Sequence, residues 1–250
     1  MAAEPQTIPA LVPTSGGTSL VDTVEAFAAG LEVPGSGSAN AITAALAAAL
    51  VASVAAKTAA HADKPRYRPI SDDAERVARR GRVLSRELLV LAEEDAKAFA
   101  PVIAWRRKAQ TLREHYDQDQ ALRKEIAATK PATEIPMRIA VISLEVADHA
   151  ILMFQHGFRP ARGESFSALL SAVASAEGAI YVARLNVETV SKKITTLDDP
   201  RYERPWLKLI LQRTDELNTR IAAYRDRVST IRDHDRTQAP TPTRKPKLRA

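Results

Sequence analysis

Apolar positions along the chain recur at helical spacing and do not alternate over any run of strand length. Leu20, Val24, Phe27 and Leu31 share one stripe and predict a short helix over 19–31. The next run is apolar on every side. Twelve of the 22 residues from Ala39 to Ala60 are alanine, with Ile42, Leu46, Leu50 and Val54 between them, which makes a thin helix that neighbours can approach closely. Asp72-x-x-Glu75 then reads as a capping box opening a long helix with the stripe Val77, Leu84, Leu88, Leu91, Phe99 and Val102. Asp95 falls on that stripe, where the period calls for a core side chain. Residues 108–130 are densely charged and predict a solvated helix or helical hairpin. Pro131 and Pro136 predict a break. Ile135–Gln155, apolar on more than one face, predicts deep burial. A small-residue helix follows over 165–191. The last helix opens near Pro205 with a heptad of Leu207, Ile210, Thr214, Leu217, Ile221, Tyr224, Val228 and Ile231, a seam within the subunit or across a dimer. The expectation is all-α: one helical bundle with long antiparallel helices.

The punctuation between these helices sets the boundaries. Pro34-Gly35-Ser36-Gly37-Ser38 reads as a loop, since Gly reaches positive φ freely and Pro fixes its own, with Ser38 placed to cap the alanine-rich helix. The first N–H groups of such a helix lack partners and carry partial positive charge, so the loop can seat an anion or simply turn the chain. Residues 1–17 and 233–250 are Pro-rich and polar and are expected to be disordered, the second as a basic tail. The helical domain is expected over 18–232.

Composition narrows the chemistry. The chain of 250 residues has 45% hydrophobic residues, enough for a substantial core, and no cysteine, hence no disulfide, thiolate or cysteine-metal chemistry. The formal net charge of +6 suits nucleic acid or anionic small molecules, but aromatic residues make up only 5% and no nucleic-acid-binding signature is present. The five histidines lack ligand spacing, so no metal is expected; His149, with Val146 and Met153 a turn to either side, reads as a core histidine. The alanine-rich run is long enough to cross a membrane, yet its Ser, Thr and Asn40 favour burial in a soluble, cytoplasmic protein, so neither nucleic acid nor membrane is expected as a partner.

Several stretches, in order, resemble the cyclodeaminase/cyclohydrolase family of folate enzymes over roughly residues 19–232. Pro34–Ser38 is similar to that family's Pro-Gly-Gly-Gly-Ser, with Ser36 at the middle glycine, and Lys64-Pro65-Arg66-Tyr67 to its basic cluster closing on an aromatic residue. Asp95 to Phe99 matches Asp-x-x-Ala-Phe, and Ala132 to Pro136 the segment ending in Ile-Pro. Gly157 to Asn186 follows the family pattern without a gap, with Gly178-Ala179 and Leu185-Asn186 in register. The resemblance implies an enzyme acting on the one-carbon bridge of tetrahydrofolate, a methenyl cyclohydrolase or a formimino cyclodeaminase, dimeric, with a methenyl-, methylene- or formimino-tetrahydrofolate ligand near the subunit boundary and no metal.

Carried onto this chain, the resemblance makes Asp95 a general base or ion partner of the cationic carbon, because a carboxylate in an apolar core has its pKa raised toward neutrality. It makes Glu164 a proton shuttle. Each also has a structural reading: Asp95 bonded to a helix end or an arginine, Glu164 favoured by a helix dipole. Gly35, Ser36, Gly37 and Ser38 would hold the ligand, Lys64 and Arg66 would meet its glutamate, and Asn186 would bond the ligand or pin a helix. The chain departs from the family at Phe158, Gly163, Glu164 and Val182, where the pattern has Asn, Ser, Asp and Asn. Two lost amides can shift hydrogen bonding by about one to several kcal/mol per group. That leaves open a Mannich-type transfer of the one-carbon unit to another nucleophile, and a non-catalytic helical scaffold.

Overall fold

The computed structural model describes residues 19–112, 115–197, 201 and 203–238, and the described residues form six α-helices and no strand. They are α1 (Leu20–Ala28), α2 (Ser36–Ala59), α3 (Ser71–Thr111), α4 (His115–His156), α5 (Arg162–Ile194) and α6 (Arg204–Gln238). α2 lies centrally, packed on α3 and α5 with α4 behind, and α6 lies across α5 and α4. Small residues let these axes approach. A Cβ on Gly81 would stand 3.0 Å from the Ala48 carbonyl oxygen and the Ala52 methyl, so α3 crosses α2 backbone to backbone. Leu84, Leu88 and Leu91 of α3, Ile139 and Leu144 of α4, and Leu169 and Ile180 of α5 fill the core around it. The heptad of α6 buries Ile210, Thr214, Leu217, Ile221, Tyr224 and Val228 within the subunit.

Several boundaries differ from the sequence reading, each for an identifiable reason. α2 starts at Ser36 rather than after Ser38. Gly35 in extended conformation is its N-cap, the Ala39 N–H already bonds the Gly35 carbonyl at 3.1 Å, and the Ser38 hydroxyl has another partner. α3 has no capping box at Asp72 and Glu75. It continues from a 3₁₀ turn (Arg68–Ile70) whose Arg68 carbonyl takes the Ser71 N–H, and Asp73 and Glu75 pair with Arg76 and Arg79 instead. The capping box that does form is at α1, where the Ser19 hydroxyl accepts from the Asp22 N–H and the Asp22 carboxylate accepts from the Ser19 N–H. α1 also stops at Ala28, short of Leu31.

The charged stretch after 108 is a helical hairpin, α3 ending at Thr111 and α4 beginning at His115. The break expected at Pro131 and Pro136 does not occur: α4 runs through both. Pro131 leaves the Ala127 carbonyl without an intrahelical donor, but Ala127 is exposed, so water can serve. Pro136 does the same to the Ala132 carbonyl, which is buried, and there the side-chain amide of Asn186 donates at 2.9 Å. α6 runs past residue 232 to Gln238, and the expected N-terminal arm and the last part of the basic tail lie outside the described residues. α2 and the segment 159–194 are long and apolar enough to cross a membrane, and half of each is buried inside the protein.

Candidate functional site

The first turn of α2 is built on glycine because a carboxylate occupies the space a side chain would need. A Cβ on Gly37 would stand 2.4 Å from Oδ1 of Asp95 and 2.6 Å from Oδ2. The Ser38 hydroxyl donates to Asp95 Oδ2 at 2.9 Å, and the Ser38 backbone N–H faces the same carboxylate. Asp95 therefore caps α2 from the neighbouring helix, supplying the acceptor that α2 lacks in its own Gly35. Ser38 and Gly37 are buried, Asp95 is 7% exposed, Gly35 is half-buried and Ser36 is exposed, so the turn has a dry floor and an open lip. Burial pushes the Asp95 carboxyl above its ordinary value, and the bonds from Ser38 oppose that shift without cancelling it. The functional and the structural readings of Asp95 thus meet in one arrangement: a desolvated carboxyl held against the positive end of a helix.

The other expected site residues lie elsewhere. α2 and α5 are antiparallel neighbours, since Gly178 meets the Asn40 side chain near the start of α2 while the Phe158 N–H donates to Thr58 Oγ1 at 2.9 Å near its end. Glu164, half-buried in the first turn of α5, stands fourteen residues before Gly178, or about 21 Å along the helix axis. Within one chain it does not join Asp95. Lys64 and Arg66 are exposed beyond the C-terminus of α2, a helix of 24 residues and so about 36 Å long; they do not reach Gly35–Ser38 of the same chain. Asn186 is engaged by the Ala132 carbonyl and pins α5 to α4. His149 is half-buried with its Nδ1 unpartnered among the described residues, and burial holds its pKa down.

Of the positions where the chain departs from the family resemblance, Phe158 and Gly163 lie at the far end of α2, whereas Val182 lies one turn beyond Gly178, toward the start of α2. Phe158 stacks on His61 with ring centroids 4.5 Å apart and packs against Tyr67, whose hydroxyl accepts the Arg159 N–H at 3.2 Å. Val182 is half-buried, and a Cβ on Gly163 would meet nothing within 4 Å.

Two groups of charged residues were not singled out by the sequence reading. Glu125, buried at the hairpin end of the bundle, is held by Arg106 Nε at 3.1 Å and by Lys193. Its signal was hidden in a stretch so charged that no residue stood out. Lys57, Arg82 and Arg86 line a groove between α2 and α3. The signal for two of them was present, an i,i+4 pair of arginines on one helix face with no acid at matching spacing.

The described residues thus form an all-helical bundle that carries a desolvated carboxyl against a Gly/Ser helix start, and comparison with known proteins places this architecture. The chain belongs to the formiminotransferase-cyclodeaminase family, whose profile matches residues 19–197. It is 31% identical over 209 residues to the methenyltetrahydrofolate cyclohydrolase of Methylorubrum extorquens, covering 80% of this chain and 94% of that protein. Its fold is that of the formiminotetrahydrofolate cyclodeaminase from Thermotoga maritima, with a TM-score of 0.63 at 21% identity over 85% of this chain and 94% of the other.

Proposed function

We propose that this protein is a folate-dependent one-carbon enzyme that opens the methenyl bridge of a tetrahydrofolate, the activity in the name of its Methylorubrum relative. The observation that carries this reading is the Asp95 carboxyl, buried, raised in pKa and set against the first turn of α2, where Gly37 leaves it room and Ser38 donates to it. Hydrolysis requires water to add to the cationic bridge carbon, with its proton taken by a base, and then the C–N bond to break, with a proton returned to the departing nitrogen. A carboxyl whose pKa lies above the usual range can do both in turn. In this reading the open lip at Gly35 and Ser36 admits the substrate, and Ser38 orients the carboxyl.

The protein works as a homodimer in this reading. α2 is apolar on all sides, yet Leu46 is 61% and Leu50 38% exposed, and α5 beside it exposes Tyr181 and Leu185. A helix of that character is built to be covered. Covering by a second copy is also the route by which Glu164, Lys64 or Arg66 reaches an Asp95. The protein is soluble and cytoplasmic on this reading and needs no metal.

A second reading, transfer of a methylene or methenyl carbon to an amine in a Mannich-type condensation, draws on Phe158, which places a stacked ring where the family resemblance has an amide. One experiment separates the two. Purified protein is given methenyl-, formimino- and methylene-tetrahydrofolate in parallel, following loss of the methenyl chromophore, release of ammonia, and new amine adducts. Loss of the chromophore at a catalysed rate supports hydrolysis; adduct formation alone supports transfer. No turnover in any arm would leave only the scaffold.

A further inference from the structure

Two glycines near the start of α2 each make room for a polar side chain from a neighbouring helix. Gly37 of α2 leaves space for the Asp95 carboxylate of α3. Gly178 of α5 does the same for Asn40 of α2. A Cβ there would stand 2.5 Å from Asn40 Oδ1, 2.7 Å from Nδ2 and 2.9 Å from Cγ, so its three nearest atoms all belong to that one amide. Gly81 differs, because what it admits is the backbone and a methyl of α2. The Asp95 carboxylate has a partner in Ser38, and the Asn186 amide further along α5 has one in the Ala132 carbonyl. The half-buried Asn40 amide has no hydrogen-bond partner among the described residues.

Such an amide works against the fold. Asn is a poorer helix former than the alanines around it, and a half-buried amide loses water without gaining a partner. A ligand that pairs with it offsets both. Val182, one turn beyond Gly178, brings no polar side-chain atom to this edge, so the amide here comes from α2.

Asn40 also belongs to the Asp95 turn. It follows Gly37 by three residues, so the two positions are about 60° apart around the helix and their Cβ points about 5–6 Å apart. The Gly37 point is the one that the Asp95 carboxylate occupies, which puts the Asn40 Cβ within about 8 Å of that carboxylate. Helical side chains lean toward the N-terminus, so the Asn40 amide overhangs the turn of Gly37 and the exposed Ser36. Asp95 and Asn40 thus flank the open lip from two sides.

A bridged tetrahydrofolate carries a group that fits. Its pyrimidinone ring presents a carbonyl beside a ring N–H, and that carbonyl flanks the bridged ring nitrogen. A primary amide pairs with such a lactam edge through two hydrogen bonds, donating to the carbonyl and accepting from the N–H. We propose that Asn40 is a substrate-binding residue whose amide takes the lactam edge of the pyrimidinone ring and so sets the one-carbon bridge over Asp95. This rests on the folate reading above and deepens it.

The test uses the full-length protein with Asn40→Ala and Asn40→Leu, the second of which keeps the bulk over Gly178. Both bring better helix formers, and melting temperatures at or above wild type confirm folding. Each protein is given methenyltetrahydrofolate and an N,N′-diarylimidazolinium, which has the cationic bridge carbon but no pyrimidinone ring and is followed as substrate or competitive inhibitor. The expected result is a KM for methenyltetrahydrofolate raised at least about tenfold in both variants, with kcat within about threefold of wild type. The ring-free compound should not distinguish the three proteins. Gly178→Ala, which displaces the amide, should raise KM alike and add nothing to Asn40→Ala. If wild type turns over and both variants keep its KM, the assignment is overturned while the folate reading stands. If only Asn40→Ala loses affinity, the side chain fills space and the assignment is again overturned. Equal losses on both compounds would place Asn40 at the bridge and overturn the lactam pairing. A wild type that neither binds nor turns over any bridged folate overturns the functional reading itself, and this assignment with it.

Discussion

Asn186 belongs to α5 yet completes α4: its side-chain amide donates to the carbonyl of Ala132 at 2.9 Å, the acceptor that Pro136 cannot serve. A buried carbonyl left idle by proline is thus repaired by a neighbouring helix, and this lets α4 run on where its sequence reads as a break.

That relationship has a measurable consequence. Asn186→Ala leaves the Ala132 carbonyl unsatisfied and is expected to lower unfolding stability by about 1–3 kcal/mol. Pro136→Ala supplies a backbone N–H for the same carbonyl. Combined with Asn186→Ala it should recover most of the loss, giving a favourable coupling in a double-mutant cycle read by denaturant unfolding. A strictly additive pair of losses would show that Asn186 matters for another reason. kcat should be unchanged in the single variant, since the Asn186 amide is committed to the Ala132 carbonyl.

Gly35 and Gly37 are two residues apart and expected to behave in opposite ways. A Cβ at 35 meets only the Glu32 carbonyl at 4.0 Å, whereas one at 37 overlaps both carboxylate oxygens of Asp95. Gly35→Ala should be tolerated, costing less than about 1 kcal/mol through the weaker N-cap. Gly37→Ala must displace the carboxyl from Ser38 and should cost about 1–3 kcal/mol, with activity falling alongside. Adding Asp95→Ala to Gly37→Ala removes the clash and should restore part of the stability but none of the activity. Equal melting temperatures for the two alanine variants would contradict the geometry.

The pH dependence follows from the direction of the Asp95 shift. Burial raises its folded pKa above the unfolded value, so the folded state binds the proton more tightly. The stability this group contributes is complete below the unfolded pKa and is lost as pH rises through the folded one. Asp95→Asn, which preserves shape and an acceptor for Ser38, should therefore be at least as stable as wild type at neutral pH, and the difference should vanish in acid. Turnover moves the other way. A base must be ionised, so the acid limb of kcat/KM should fall at a pH above the ordinary carboxylate range, and Asp95→Asn should lower the rate by about 10² or more. A wild-type rate in that variant removes Asp95 from the mechanism.

How much of the fold and site is legible in the sequence depends on what kind of information each residue carries. Asp95 could be singled out because a carboxylate on an apolar stripe contradicts its own neighbours, and such local conflict is visible in one dimension. The α6 seam was legible for the same reason, but its partner was not, since a heptad does not say what it packs against. Pro136 misled because its repair comes from Asn186, fifty residues away, and no local rule contains that bond. Lys64 and Arg66 were placed in the site by family resemblance, whereas the length of α2 puts them at its far end within one chain. Arg82 and Arg86 were legible as an i,i+4 arginine pair without an acid at matching spacing, but only the structure shows Lys57 joining them across the α2–α3 groove.

The separation of Asp95 from Glu164 leads to the last expectation. In one chain they stand at different levels of the antiparallel α2–α5 pair, so a shared reaction requires them to come from two copies. Asp95→Asn and Glu164→Gln proteins, each of low activity alone, should regain activity when mixed and allowed to exchange subunits. A mixed dimer then holds one intact site and one doubly damaged site, so the recovered rate should approach about a quarter of wild type, half the molecules being mixed with one site each. On the dimeric reading, Leu46→Glu with Leu50→Glu places charge on the exposed apolar face of α2 and should abolish the recovery, with the protein monomeric in light scattering. If Glu164→Gln alone keeps full activity, Glu164 serves only the dipole of α5. If both variants are inactive and mixing with proven exchange restores nothing, the two residues do not share a site.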